Sequence, residues 1–386
     1  MTETLLNRKN GKKFMQRLSK FVICMLLGNG PTWAAPVELR ETLEGAQRQW
    51  GVPSVAAVAF SSEKMLGQGV VGQRKTGAGT PVTLDDKYHV GSITKSMTAT
   101  LAAIGVESGR LRWDTTLGEA LDDLRMHAEV RSVTLGQLLR HRSGLERDIP
   151  DDLFNQLRLG RERPTRQREK LARELLKRPP KSAPEAAYEY SNAGYTFAGL
   201  MIERRIGQPW EKLMMEKIFN PLGMKSAGFG APAKDPRKID QPWGHDSSGQ
   251  PVAPGPLADN VSAIGPAGTV HMSLPDLARY GQWHLRERGP LKPPLLRPET
   301  VQLLHGAGQR DGYHFGWERH SREWAGGQAL YHNGSNTMFY AVIWLAPNRD
   351  FGLAVATNMG GPKAEQACDD VAGKLVMTFC PARRLQ

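Results

Sequence analysis

Two stretches of the chain set a serine three residues ahead of a lysine: Ser92-Ile-Thr-Lys95 and Ser61-Ser-Glu-Lys64. On a helix, three residues is close to one turn, so both side chains share a face and the amine comes within reach of the hydroxyl. A lysine buried there can lose its proton near neutral pH and accept one from serine, which makes the hydroxyl a nucleophile for acyl transfer. The plainer use of such a serine is a helix N-cap, with the lysine an ordinary solvated residue. Both pairs cannot supply the nucleophile, and the elements around them separate the uses.

Residues 54–60 and 65–71 are β-rich runs joined by S-S-E-K, which reads as a hairpin and puts Ser61 and Lys64 in its turn. Around Ser92 an extended run, 87–90, gives way to a helical pattern in which Ile93, Met97, Leu101 and Ile104 share a face and Gly109 follows as a stop. A helix N-terminus at Ser92 adds positive potential that favours an oxyanion nearby. Elsewhere, residues 37–50 form an amphipathic pattern ending at Gly51-Val52-Pro53, and 110–264 reads as helical pieces separated by Pro and Gly. Ser273-Leu-Pro-Asp276 is a capping box opening a helix over 274–287. Runs 328–332, 338–346 and 351–358 read as strands, with a turn at 347–350, and a helix over 363–378 follows.

Strands at both ends and helices between them predict an α+β fold. One antiparallel sheet is formed by both termini and flanked by helices, and a mostly helical lobe is inserted in it. The α/β lobe takes about 35–92 and 265–386, the helical lobe about 93–264, and a ligand cleft is expected between them.

Composition bounds the function. The 386 residues are 40% hydrophobic and 23% charged, ordinary for a globular chain. Arg8, Lys9, Lys12, Lys13, Arg17 and Lys20 precede the apolar run F-V-I-C-M-L-L and then T-W-A-A-P. This is the order of a secretory signal peptide cleaved after Ala34, and the run is too short to span a bilayer. The expected location is periplasmic or secreted, with no transmembrane segment after cleavage; an uncleaved anchor is the alternative. Without residues 1–34, 45 cations face 38 acids, and 158–181 alone holds ten cations against three acids. The basic balance therefore belongs to one segment rather than to a nucleic-acid-binding face. That segment is either a solvated helix with Leu171 and Leu175 inward or a contact for an anionic cell-wall or lipid surface. Cys368 and Cys380 flank a helix that would hold them ~18 Å apart, too far for a disulfide unless it breaks near Gly373, so they read as buried thiols.

Gly67-Gln-Gly69-Val-Val-Gly72 matches a dinucleotide fingerprint, but no helix can begin in the Q-R-K-T-G-A-G-T-P that follows, so the glycines read as relief of crowding on a strand. No G-x-S-x-G and no H-E-x-x-H occurs, and no histidine clusters with the cysteines, so neither a cofactor nor a metal is expected.

With Tyr190-Ser-Asn192 and His332-Asn-Gly334 following Ser92-Ile-Thr-Lys95 in order, the chain resembles the serine β-lactamase and penicillin-binding-protein superfamily. Lys75-Thr-Gly77 and Tyr331-His-Asn333 also match single motifs but stand out of order or in the wrong context. Further blocks, including V-T-L-G-Q-L-L-R-H-R-S-G-L, N-P-L-G-M and Y-H-F-G-W, are similar to the class C β-lactamase-like branch of carboxypeptidases, D-aminopeptidases and esterases, over about 38–361. The resemblance implies Ser92 as acylated nucleophile, Lys95 and Tyr190 sharing proton transfer, and Asn192 orienting substrate and Lys95. It also implies His332 lining the cleft from an edge strand, Gly334 leaving room for substrate, and an oxyanion hole of the Ser92 and Ser335 N–H groups. His141 and His271, in recurrent blocks, read as structural.

The motif set departs from the family at its end. His332 stands for the usual lysine and Asn333 for the usual hydroxyl residue, which weakens carboxylate recognition near neutral pH. Three readings follow. The first is a secreted serine hydrolase of peptidoglycan-type D-amino-acid peptides or β-lactams. The second is an esterase on the same scaffold. The third is a catalytically silent module that binds cell wall.

Overall fold

Residues 54–60 read S-V-A-A-V-A-F and 351–357 read F-G-L-A-V-A-T: uncharged runs rich in small and branched residues, suited to strands covered on both faces. In the computed structural model, which describes residues 35–147, 149–286 and 295–381, both are buried at every position. They pair antiparallel, Gly352 with Phe60 through Ala356 with Ala56, inside an eight-stranded sheet. Its order is Val37–Glu38, Met65–Gly72, Ser54–Phe60, Phe351–Thr357, Tyr340–Ala346, Gly327–Ser335, Trp317–Arg322, Gly312–His314. The expected α+β sheet from both ends of the chain is present. Its first strand runs parallel to Met65–Gly72, so the sheet is mixed.

Three details differ from the sequence reading. The first helix is Arg40–Trp50, because Val37 and Glu38 join the sheet. Two strands extend the sheet beyond Gly327–Ser335, so His332 lies on an interior strand and not on the edge. One of them, W-E-R-H-S-R, is mostly polar and carries little strand signal. Finally, Asp276 does not cap Leu274–Leu285; its Oδ2 accepts from Ser226 N and Oγ at 2.7 and 2.5 Å. The expected leader, 1–34, and the expected end of that helix at 287 lie outside the described residues.

Helices Arg40–Trp50 and Pro362–Phe379 cover one face of the sheet. A Cβ on Gly67 would sit 2.6 Å from the Phe379 ring, and one on Gly69 3.1 Å from Leu39 and Leu43, so these glycines admit close helix packing. Pro362–Phe379 runs unbroken through Gly373, and Cys368 and Cys380 are buried free thiols. On the other face, Leu274–Leu285 packs on the sheet, with Thr94–Glu107 and Asn192–Ile206 in the same core. Thr94–Glu107 is buried on nearly every side, so its polar atoms must be satisfied internally: Thr98 Oγ1 donates to Pro266 O at 2.7 Å and Ser96 Oγ to Ile93 O at 2.8 Å.

The basic segment forms helix Pro164–Leu175, with Leu171 and Leu175 inward. Arg168 is not solvated with its neighbours. It is fully buried, with Nη2 2.6 Å from Glu203 Oε1 and 2.9 Å from Glu211 Oε2.

Candidate active site

Ser92 sits in a 3₁₀ turn, Gly91–Ile93, between the short strand Tyr88–His89 and helix Thr94–Glu107. It does not cap that helix, whose N-cap is Ile93. One turn on, Lys95 is fully buried, and its Nζ lies 3.0 Å from Ser92 Oγ, 2.9 Å from Asn192 Oδ1 and 2.7 Å from Ala267 O. Burial drives the Lys95 amine well below the usual lysine range, because the charged form loses its hydration there. Ser61, by contrast, holds a hairpin turn: its Oγ accepts from the Glu63 and Lys64 N–H groups at 3.3 Å.

Tyr190 and Asn192 are held by the start of helix Asn192–Ile206. Ser191 caps it, accepting from Gly194 N at 2.9 Å, and its own N–H donates to His141 Nδ1 at 3.1 Å. His141, a non-glycine at φ 56°, packs against Tyr190 with the rings tilted and their centroids 4.4 Å apart. Burial pushes the Tyr190 phenol above its usual range, although Ser92 beside its hydroxyl pulls the other way. The two groups that could move a proton are therefore driven in opposite directions: the amine toward neutrality and the phenol toward staying protonated.

The strand Gly327–Ser335 closes the site from the other side. His332 is buried, with Nε2 3.2 Å from Tyr313 Oη and Nδ1 2.5 Å from Asn333 O. A carbonyl only accepts, so Nδ1 carries the hydrogen and Nε2 is left without one, facing a Tyr313 hydroxyl that also lies 3.4 Å from Tyr195 Oη. Burial, helped by Lys95, lowers His332 to about 3. Asn333 points to the opposite face, where its Nδ2 donates to Tyr340 Oη at 3.0 Å, and is not brought to Ser92. Gly334 lies against main chain of the site itself. A Cβ there would lie 2.1 Å from Val90 O and 2.4 Å from Ser92 N, and one on Gly91 would lie 2.2 Å from Ser335 N. Two backbones thus abut with no room for side chains, and the Ser92 and Ser335 amides come together.

The family model described as beta-lactamase matches residues 39–376. The chain belongs to the β-lactamase family. It is a serine hydrolase by that membership. Penicillin-binding protein 4 of Amycolatopsis lactamdurans is 26% identical over 353 residues, 83% of this chain and 84% of that one. A beta-lactamase of Pseudomonas fluorescens is 26% identical over 321 residues, 80% of this chain and 81% of that one. Among solved structures, the octameric penicillin-binding protein homologue from Pyrococcus abyssi superposes with a TM-score of 0.71 at 23% identity, covering 90% of this chain and 78% of that one.

In this β-lactamase-family hydrolase, Tyr313 is the site neighbour that the sequence reading did not single out. It lies 3.2 Å from His332 Nε2 and packs its ring, tilted, against His141 at 4.5 Å, and its signal was the Y-H-F-G-W block. A cavity of about 690 Å³ opens at Ser335 and Asn336, lined also by Phe154 and Arg158. Another of about 1060 Å³ opens at Tyr188 and Tyr313. Among the described residues no group of His, Cys, Asp and Glu could hold a metal, and no helix is long and apolar enough to cross a membrane.

Proposed function

We propose that the protein is an exported hydrolase that cleaves D-amino-acid peptides through an acyl-enzyme on Ser92, with Lys95 as general base and Tyr190 as proton relay. One observation carries this reading. Two of the three contacts of Lys95 Nζ, Asn192 Oδ1 at 2.9 Å and Ala267 O at 2.7 Å, are oxygens that only accept. A neutral amine spends both N–H groups on them, and its lone pair is left facing Ser92 Oγ at 3.0 Å. Ser92 then gives its proton to Nζ as Oγ attacks the carbonyl carbon, and the Ser92 and Ser335 N–H groups take the oxyanion. As the scissile bond breaks, Tyr190 hands its proton to the leaving group and is reprotonated from Lys95. Water reverses the sequence and frees Ser92. The penicillin-binding relative supports a site that takes penicillin-like acyl compounds, and the charge-then-apolar order of residues 1–34 supports export.

A second reading, an esterase, is favoured by His332 and Asn333. Where the family pattern has a cation, this chain has a buried imidazole held neutral, and Asn333 is turned away. A substrate carboxylate finds no charge in the third motif, whereas a neutral ester needs none. Stopped-flow release of p-nitrophenol from an ester should show a burst of about one equivalent that is absent in Ser92→Ala; a burst that persists in Ser92→Ala defeats the acyl-enzyme reading. Comparing kcat/KM for that ester, a D-Ala-D-Ala peptide and nitrocefin then chooses between the two substrate classes.

A further inference from the structure

Both amides of the proposed oxyanion hole sit next to a side chain that leads back to a single oxygen. Ahead of Ser92, the Gly91 N–H donates to His89 Nδ1 at 3.1 Å, which leaves Nε2 as the protonated nitrogen, 3.0 Å from Asp259 Oδ1. After Ser335, Asn336 accepts from Met338 N and Phe339 N through Oδ1, at 3.2 and 2.9 Å. This turns its Nδ2 toward the same Asp259 Oδ1, at 3.1 Å. Asn260 N donates to that oxygen at 2.7 Å. His89 and Asn336 are buried, and Asp259 is 12% exposed in the wall of the Ser335 cavity.

We propose that Asp259 is a positioning residue that sets the spacing of the two oxyanion donors, acting on Ser92 through His89 and Gly91 and on Ser335 through Asn336. This role rests on the Ser92 acyl-enzyme reading. Gly91 and Gly334 allow the two backbones to touch, but a contact without side chains does not fix their angle. Two hydrogen bonds to one carboxylate oxygen, from Asn336 Nδ2 and Asn260 N, together with the His89 ring nitrogen held 3.0 Å from it, do fix it, because neither segment can shift without losing a contact with Asp259. Donors aimed at a developing oxyanion contribute only when their geometry is set beforehand, so loosening this tie lowers the rate of the chemical step and leaves binding alone.

The test uses steady-state turnover of a p-nitrophenyl ester by the full chain. Asp259→Ala should lower kcat roughly 10- to 100-fold with KM within about twofold, the scale of a misplaced catalytic group. Asp259→Asn should stay within about threefold of the parent, since one amide oxygen can still take the same three contacts. Adding His89→Ala to Asp259→Ala should cost at most about twofold more, because the tie is already cut. If Asp259→Ala does not fold, Asn336→Asp gives the same reading: it keeps the acceptor for Met338 and Phe339 N–H, removes the donor to Asp259, and should lower kcat about tenfold. An unchanged kcat, a raised KM alone, or an Asp259→Asn variant as slow as Asp259→Ala overturns the positioning role. Turnover that survives Ser92→Ala defeats instead the reading on which it rests.

Discussion

Gly334 lies against Ser92 backbone to backbone, and a single added carbon on Gly334 would stand 2.4 Å from the Ser92 nitrogen and 2.1 Å from Val90 O. Both obstacles are main chain and cannot rotate away. Gly334→Ala should therefore push the 3₁₀ turn off the strand, lower ester turnover at least 100-fold and destabilise the fold by roughly 1–3 kcal/mol. Turnover and a chemical denaturation curve on the same preparation check this. Near-parental activity in Gly334→Ala would show that the two segments can separate without harm.

The pH dependence follows from the opposed shifts at Lys95 and Tyr190. The base must be neutral and the relay protonated. Burial lowers Lys95 well below the lysine range and raises Tyr190 above the phenol range. The rate on a neutral ester should fall on the acid side as Lys95 takes up a proton, and stay flat on the alkaline side to beyond about pH 10, the ordinary phenol value. Lys95→Arg, which cannot deprotonate, should lose at least about 10³-fold. A limb that rises near pH 10 would assign the base to a Tyr190 phenolate instead.

His332 titrates too low to act as a switch. Burial and Lys95 hold it near 3, so it stays neutral where an ordinary histidine gains charge. Labelling by a fluorescent penicillin, relative to labelling by a fluorophosphonate, should stay flat between about pH 5 and 8 rather than recover on acidification. A ratio that rises on acidification would show that His332 gains charge in this range.

Much of the site was legible because the catalytic types recur in a fixed order on elements that the hydrophobic pattern identifies. Ser92 and Lys95 follow from helical spacing, and Tyr190 and Asn192 flank a serine cap. What failed was geometry across strands. Alternation on Gly327–Ser335 already required Asn333 to face away from His332, because successive side chains on a strand oppose each other. The charged run W-E-R-H-S-R hid the strand that makes Gly327–Ser335 interior. Asp259 stands in no motif and is joined to His89 and Asn336 only by the fold.

Arg168 was similarly hidden in a basic run, although it stands three and seven residues before the inward-facing Leu171 and Leu175. Replacing it by Gln strands the buried Glu203 carboxylate and frees the part-exposed Glu211, and should destabilise the protein by about 3 kcal/mol. Arg166→Gln, which removes an exposed partner of Glu169, should cost less than about 1 kcal/mol. Denaturant midpoints compare them. A contact with anionic wall polymer is then tested with Arg161, Arg163 and Arg166 replaced by Gln and Arg168 kept. Binding to isolated cell walls should weaken with salt in the parent and lose that dependence in the triple variant.

The most direct measurement is the intact and peptide mass of the protein after reaction with a fluorophosphonate. Phosphonylation needs an activated hydroxyl and oxyanion donors but no carboxylate site, so neither His332 nor Asn333 should prevent it. One adduct is expected, on the peptide containing Ser92. It should be absent in Ser92→Ala, whose melt stays cooperative, and unchanged in Ser61→Ala, whose hydroxyl only holds a turn. An adduct that survives in Ser92→Ala, or one that disappears in Ser61→Ala, would contradict the assignment of Ser92 as nucleophile and of every residue arranged around it.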